Sequence, residues 1–200
     1  SLNILSVSNK GATQISSGLI ANQVSINSGS IVVNGVIDTS GASSNSGIGA
    51  LGGAITLTAS GSIALQSLVS DGGSSTYVNG RYSHNSYAGG DAGDIYLEGT
   101  SVLISGSVSA IGGASSSGSA GASGLITIKN TSLTDLSYAN GAIAGDSLLK
   151  QGSGTLILTA ANTYSGTTTI SSGVLVVESN APSLNSSSYI GPGALVIRPS

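Results

Sequence analysis

Three short apolar runs at close spacing constrain the fold of this chain more than any other feature. They are TLILT (155–159), TTTI (167–170) and VLVV (174–177), and each is bounded by Gly, Ser or Asn. Short runs rich in Val, Ile, Leu and Thr are typical of strands. Because the connections between them are too short to contain crossover helices, the runs predict successive sides of a coil in a β-solenoid.

The alternation of side chains along a strand predicts which residues face the interior. In the three runs the predicted inward residues are Leu156, Leu158, Thr168, Ile170, Leu175 and Val177. The predicted outward residues are Thr155, Ile157, Thr167, Thr169, Val174 and Val176. In upstream runs, the same pattern predicts that Ile55, Leu57, Ile95, Leu97, Ile126 and Ile128 face inward. A polar substitution at Ile157 is therefore expected to cost far less stability than truncation of Leu158.

Residues 148–177 also carry a dense pattern of fixed positions. The pattern is Leu149-Lys150-x-Gly152-x-Gly154-Thr155-Leu156-x-Leu158, then Asn162-Thr163-Tyr164-x-Gly166-x-Thr168, then Gly173-x-Leu175. It resembles the autotransporter-associated β-strand repeat of type V secreted bacterial proteins. Ala160 and Thr167 stand where that family commonly has glycine. The resemblance implies a secreted or surface-displayed passenger that meets an outer-membrane translocator during export.

Internal copies extend this pattern upstream. GAITL (53–57) aligns with GDIYL (93–97) at offset 40, and SIVVNGVIDTSG (30–41) aligns with SVLISGSVSAIG (101–112) at offset 71. A further copy begins at GLITI (124–128). These copies resemble the filamentous-haemagglutinin type of secreted β-helix repeat. We therefore predict an all-β fold, a single-stranded right-handed parallel β-helix of about seven to nine coils. Residues 1–200 are expected to be one segment of a longer chain.

Composition excludes several classes of protein. Ser (42) and Gly (31) are abundant, but 51 Leu, Ile and Val residues and a charged fraction of only 6% argue against disorder. The chain has no cysteine for disulfides, and its net charge of −3 gives no basic surface for nucleic acid. No apolar run approaches the length of a membrane-spanning helix. The sequence predicts no cofactor.

The largest interruption of the pattern is residues 71–94, which we predict to be a loop inserted between two coils and outside the stack. Tyrosine and arginine are enriched in recognition surfaces. The predicted ligand-binding side chains are Tyr77, Arg81, Tyr82, His84 and Tyr87. Their expected partners are host or surface glycans, receptors or other bacterial cells. The alternative is packing on the solenoid flank. If the loop lies outside the stack, replacing residues 74–88 should change stability by no more than about 1 kcal/mol.

Carboxylates near this loop permit a second hypothesis. Asp91 and Asp94, with Asp71 nearby, could be the acid–base pair of a polysaccharide-cleaving β-helix, since glycoside hydrolases use paired carboxylates. GGDAGDIYL (89–97) is similar to one calcium nonapeptide, but a single copy supplies too few oxygens for calcium. We therefore predict no catalytic residues and no metal site. Asn162 and Tyr164 are interpreted as turn and packing residues, and SLTDLSYANGA (132–142) as the one place for a short helical turn.

Three functions remain open from the sequence. The first is a structural stalk or adhesive segment of a secreted passenger that presents a recognition loop. The second is a polysaccharide-cleaving enzyme, and the third is a glycan-binding module, which is compatible with the first. An enzyme needs carboxylates that converge on a groove, whereas a stalk does not.

Overall fold

The computed structural model describes residues 23–76 and 86–178, together with the backbone of strands at 2–4, 7–8, 189–190 and 194–198. All regular secondary structure in this part of the chain is β-strand. The strands are β1 (Leu2–Ile4), β2 (Val7–Ser8), β3 (Val24–Ser28), β4 (Ile31–Asp38), β5 (Ile55–Ala59), β6 (Ile63–Val69), β7 (Ile95–Gly99), β8 (Val102–Ile104), β9 (Val108–Ser109), β10 (Ile126–Asn130), β11 (Leu136–Ala139), β12 (Ile143–Ala144), β13 (Leu148–Gln151), β14 (Thr155–Leu158), β15 (Thr168–Ile170), β16 (Val174–Glu178), β17 (Tyr189–Ile190) and β18 (Ala194–Arg198).

The strands form two sheets in which every pairing is parallel. Sheet A has the order β1-β4-β6-β8-β11-β14-β16-β18, with the short strands β2, β9 and β12 beside this path. Sheet B has the order β17-β15-β13-β10-β7-β5-β3. From β3 onward the chain passes between sheet B and sheet A, and each return places a strand beside the equivalent strand of the preceding turn. This all-β arrangement is consistent with a β-solenoid.

The strand pairings place equivalent residues of successive turns in columns. Ile55 pairs with Ile95 and Ile95 with Ile126, so the copies predicted from the sequence are neighbours in sheet B. The copy at offset 71 lies two turns away, because Ile31 pairs with Ile63 and Ile63 with Val102.

One apolar core receives side chains from both sheets. All the predicted inward residues are buried, and the aliphatic ones belong to this core. Thr168 is also buried, with 2% of its surface exposed. Period-2 alternation therefore predicted the core correctly. Burial of these columns is the main stabilising contribution, at roughly 25 cal/mol per Å² of apolar surface.

Two residues predicted to face outward are nevertheless buried. Ile157 and Val176 are each 2% exposed, although neither belongs to the core cluster that contains Leu156 and Leu175. They pair with each other on the side of sheet A that faces away from the core. A polar residue at Ile157 is therefore expected to cost more than its outward position alone suggested, because this side chain is excluded from water.

The segment expected to allow a helical turn contains β11 instead. Its Ser137 lies in an inward column between Val102 and Leu156, and it is fully buried. The Ser137 hydroxyl oxygen accepts a hydrogen bond of 2.8 Å from the backbone N–H of Val102. This bond satisfies the buried hydroxyl and allows the strand to continue the stack.

Candidate functional site

Three loops between sheet A and sheet B stack on one another. We call them the glycine ledge. The first loop is residues 41–52, the second is described at residues 72–76 and 86–92, and the third is residues 112–123. Parallel bridges join Ser44 to Ser75 and Ser75 to Ser115, and backbone hydrogen bonds link each loop to the next. The loops therefore continue the stack laterally, beyond the apolar core.

Each ledge loop has an outgoing and a returning limb, and main-chain hydrogen bonds connect the limbs. Along the stack the donor N–H lies alternately on the returning limb and on the outgoing limb, and the N···O distances are 2.8–3.0 Å. In order they are Ala50 N to Ala42 O, Gly73 N to Ala50 O, Gly90 N to Gly73 O, Gly113 N to Gly90 O and Gly121 N to Gly113 O. The ledge is thus a two-layered array held together mainly by its backbone.

Glycine is required in this array because successive loops are in direct backbone contact. A Cβ atom on Gly73 would overlap the carbonyl oxygen of Ala42, and one on Gly90 would overlap that of Ala50. A Cβ on Gly121 would in turn overlap the carbonyl oxygen of Gly90. The glycine-rich composition of these loops is therefore a consequence of close backbone packing.

The described limbs of the segment 71–94, residues 71–76 and 86–94, are hydrogen-bonded to the neighbouring loops, whereas the sequence predicted the segment to lie outside the stack. The Ser75 N–H donates to the carbonyl of Ala114, and the Thr76 N–H donates to that of Ser44. On the returning limb, the Gly89 N–H donates to the carbonyl of Ser119. Replacing residues 74–88 would remove bonds to both neighbouring loops, so the expected cost of at most about 1 kcal/mol is too low.

Of the predicted ligand-binding residues, the described part of the chain includes Tyr87. Its side chain is half-buried, its carbonyl oxygen accepts a 2.6 Å bond from the Ser115 hydroxyl, and its N–H donates to the Ser117 hydroxyl over 3.4 Å. The other four predicted residues, Tyr77, Arg81, Tyr82 and His84, lie outside the described residues. A recognition role for the set stays a prediction.

The three aspartates that suggested catalysis bind the main chain of the following turn. Asp71 accepts bonds from the Ser109 hydroxyl, at 2.6 Å, and the Ile111 N–H, at 2.8 Å. The Asp91 carboxylate accepts from the Ala122 N–H over 2.7 Å, and that of Asp94 from the Leu125 N–H over 2.8 Å. Each carboxylate therefore joins two turns. The residues described here contain no cluster of three or more His, Asp or Glu that could hold a metal ion.

Residues 148–177 close their turns with buried side chains. The Asn162 side-chain oxygen accepts a 2.9 Å bond from the Ile143 N–H, and Asn162 is 5% exposed. Tyr164 belongs to the apolar core, and its hydroxyl lies 2.6 Å from that of Thr168. Burial raises the pKa of Tyr164, and the bond to Thr168 opposes that shift. The predicted turn and packing roles of Asn162 and Tyr164 agree with this geometry.

Lys150 is a buried cation that the sequence analysis did not single out. It is 0% exposed, and its ammonium group donates to the carbonyls of Gln151, Gly152 and Ser172. Burial lowers its pKa from 10.5 to about 8, so it remains charged at neutral pH. Leu148 and Lys150 are both buried, so period-2 alternation along β13 is the signal that could have identified Lys150.

Charged groups also interact on the outer face of sheet B. The Lys129 ammonium lies 2.8 Å from the Glu98 carboxylate, which also accepts a 2.6 Å bond from the Tyr96 hydroxyl. The bonds to Lys129 and Tyr96 lower the pKa of Glu98. Because the Lys129 and Glu98 side chains are partly exposed, this pair stabilises the fold only slightly.

A cleft of about 240 Å³ lies against sheet A. Its lining residues are Val32, Val33, Asn34, Ala64, Leu65, Gln66, Leu103 and Ser105. None of these side chains is charged, so the cleft offers hydrogen bonds and apolar contacts but no acid or base. The register shift of β4 between Val33 and Val36 interrupts the ladder beside it.

Comparison with known families bears on residues 148–177. They match the family model described as the Passenger-associated-transport-repeat. The chain contains an autotransporter passenger repeat. This match confirms the resemblance predicted from the sequence, and it indicates a secreted or surface-displayed passenger segment. The repeat is a structural passenger repeat and not an enzyme family.

No significant match was found among curated proteins or solved structures. No helix able to span a bilayer occurs in the described part of the chain.

Proposed function

We propose that this chain is a stalk segment of the passenger of a type V secreted bacterial surface protein. Its two sheets are proposed to be sides of a closed, right-handed, single-stranded parallel β-helix. The observation that carries this proposal is the passenger repeat at 148–177, which lies in the same strand ladders as the upstream turns. In sheet B, Ile126 of β10 pairs with Leu148 of β13, and in sheet A, Leu136 of β11 pairs with Thr155 of β14.

The second part of the proposal is presentation of a recognition loop. The ledge holds the residues on either side of the segment 77–85, namely Ser75 and Thr76 before it and Tyr87 and Gly89 after it. Rigid elements that support loops are a common basis for binding. The proposed partners are host or surface glycans, receptors or other bacterial cells, contacted through Tyr77, Arg81, Tyr82, His84 and Tyr87.

Export is tested by fusing the chain upstream of a heterologous outer-membrane translocator. Each turn offers unpaired backbone groups on which the next can fold, so folding outside the cell can assist translocation. Residues 159–177 make one complete turn of the solenoid, because Leu158 pairs with Val177. Their deletion should reduce surface display measured by antibody labelling, with total expression unchanged. The control is Ile48→Ser, a substitution of an exposed side chain on the ledge. Equal display of the deletion and the intact chain would reject the passenger role.

Recognition is tested separately on the purified chain. The variant with Tyr77, Tyr82 and Tyr87 all replaced by alanine should lose binding to glycan arrays and host cells. Tyr96 and Tyr138, two half-buried tyrosines outside the ledge, supply the matched double-alanine control. Unchanged binding by the triple variant would leave the stalk role intact and reject the recognition role.

A further inference from the structure

Lys150 occupies a column that other turns fill with aliphatic side chains. In sheet B it pairs with Ile128 on one side and with Ile170 on the other. The same column continues through Leu97 and Leu57. Burying an ammonium group among such residues is unfavourable unless its hydrogens find acceptors. The position therefore calls for a physical explanation.

Three main-chain carbonyls satisfy the ammonium group at the corner between the sheets. The distances from Lys150 Nζ are 2.7 Å to Gln151 O, 2.9 Å to Gly152 O and 3.2 Å to Ser172 O. A lysine ammonium has three donors and no acceptor, so these bonds use its full capacity. No described carboxylate forms an ion pair with it.

The three acceptors belong to two successive corners. Gln151 and Gly152 follow Lys150 directly, whereas Ser172 lies in the corner of the next turn. Both corners contain a left-handed glycine, Gly152 with a φ of 75° and Gly173 with a φ of 73°. A Cβ atom on Gly173 would lie 2.8 Å from Lys150 Nζ. Glycine thus leaves room for the ammonium group to bridge the two corners.

Apolar burial alone discriminates weakly between alternative registers here. The strands that follow the two corners are β14, with the sequence TLIL, and β16, with the sequence VLVVE. In the observed register Leu156 pairs with Leu175. A slip of two residues would pair Leu156 with Val177 and keep the same side chains inward, since the pleat repeats every two residues.

We propose that Lys150 is a register lock between the turn at 148–158 and the turn at 168–177. Its ammonium group is fully bonded only when the Ser172 corner lies directly on the Gly152 corner. A slip of two residues would move Ser172 O by roughly 6.6 Å and leave a buried donor without an acceptor. Buried polar groups fix the register of coiled coils in the same way, at a cost in stability.

A register lock matters in a stack because each turn is the template for the next. A slipped turn would offer its neighbour a displaced row of hydrogen-bonding groups. The error would then pass to all turns added later. Lys150 acts at one junction of the passenger repeat and prevents this error there.

Disulfide crosslinking can read the register, because the chain has no cysteine of its own. Leu149 and Thr169 are paired in the observed register, and both are half-buried. Ser171 and Thr167 would face Leu149 only after a slip of two residues in one direction or the other. In the observed register those diagonal positions are roughly 7–8 Å from Leu149, which is too far for a disulfide.

The experiment compares these cysteine pairs in the intact background and with Lys150→Met, which keeps an unbranched side chain of similar length. With Lys150 present, only the 149/169 pair should form a disulfide. With Lys150→Met, the 149/171 or 149/167 disulfide should increase about tenfold or more, as expected when a penalty of 1–3 kcal/mol is removed. Leu148→Met, an inward substitution on the same strand, should leave the pattern unchanged.

Two results would overturn the proposal. One is exclusive 149/169 crosslinking in the Lys150→Met background, which would show that the register does not need the ammonium group. The other is failure of Lys150→Met to fold, followed by circular dichroism, because the proposal assigns the ammonium group to register and not to stability.

Discussion

The solenoid turns that carry the glycine ledge (ledge turns) and the shorter solenoid turns of residues 148–177 (tight turns) share one core ladder. They close their corners by different means. In the ledge region, Ile55 pairs with Ile95, forty positions along the chain. In the passenger repeat, Leu148 pairs with Thr168, only twenty positions along. The ledge turns use their additional residues for backbone hydrogen bonds between glycine-rich limbs, whereas the tight turns use buried polar side chains.

This difference shows that the core ladder and the turns are separate determinants of the fold. The inward columns continue across the boundary between the two regions, from Ile128 to Lys150, despite the change in turn length. Loop closure entropy rises slowly with length, so long turns are tolerated. The ledge adds a further requirement, because its loops must also fit one another.

The largest expected effect is a glycine substitution in the ledge. Gly90→Val should destabilise the fold by about 4–6 kcal/mol, because its side chain would overlap Ala50 O and separate limbs that Gly90 joins through two hydrogen bonds. Denaturant unfolding measures this change. Gly29→Val is the control, since a Cβ on Gly29 meets no atom within 4 Å. Equal effects at the two glycines would show that the ledge contributes no special packing.

Core truncation in the tight turns should have the next largest effect. Leu158→Ala should cost about 2–5 kcal/mol through lost burial and the resulting cavity. Ile157→Thr should cost about 1–3 kcal/mol, because it places a hydroxyl where 2% of the residue is exposed. The half-buried Val174 supplies a control, and Val174→Thr should change the unfolding free energy by less than about 0.5 kcal/mol. Equal, small effects at Ile157 and Val174 would contradict the buried position of Ile157.

Lys150 gives the tight turns a pH dependence. Because burial lowers its pKa from 10.5 to about 8, the unfolded chain binds more protons than the folded chain between these values. Stability should therefore rise with pH, by about 2 kcal/mol from pH 7 to pH 9.5, relative to Lys150→Met. Unfolding curves at several pH values test this. An unchanged difference between the two proteins would contradict the inferred burial of the charge.

The smallest expected effect concerns Asn162. Asn162→Ala removes the acceptor for the Ile143 N–H and should cost about 1–2 kcal/mol. Asn140 is exposed, and its side-chain oxygen accepts from the Thr159 hydroxyl at 3.1 Å. Asn140→Ala should therefore cost less than about 0.5 kcal/mol. Thermal unfolding of both variants would sharpen the contrast, and a larger effect at Asn140 would refute it.

Period-2 alternation and the internal copies were sufficient to predict the core and the order of the turns. Ile95 and Leu97 face inward, as predicted, because facing in a strand depends only on residue parity. The ledge was not predicted, because its limbs are joined by backbone groups that every residue carries. Only glycine spacing, as at Gly49 and Gly52 or at Gly90 and Gly93, could have indicated the close packing.

The candidate site was less predictable than the core. Asp91 and Asp94 were interpreted as a possible catalytic pair, yet each binds the backbone of the next turn. Sequence spacing could not show this, because the acceptor and donor lie more than thirty residues apart. Lys150 was overlooked because lysines are rarely buried, although its parity placed it inward. Tyr87 lies on the ledge, where its carbonyl oxygen accepts a bond from Ser115.

The central claim is that ledge turns and tight turns form one continuous parallel stack. Spin labels at Lys129 and Gln151, which pair across the boundary, test it most directly. The pair Glu98 and Lys129, within the ledge region, is the positive control. Continuous stacking predicts equal, strong dipolar broadening for both pairs, since adjacent strands lie about 4.8 Å apart. Broadening for the 98/129 pair without broadening for the 129/151 pair would contradict a continuous stack.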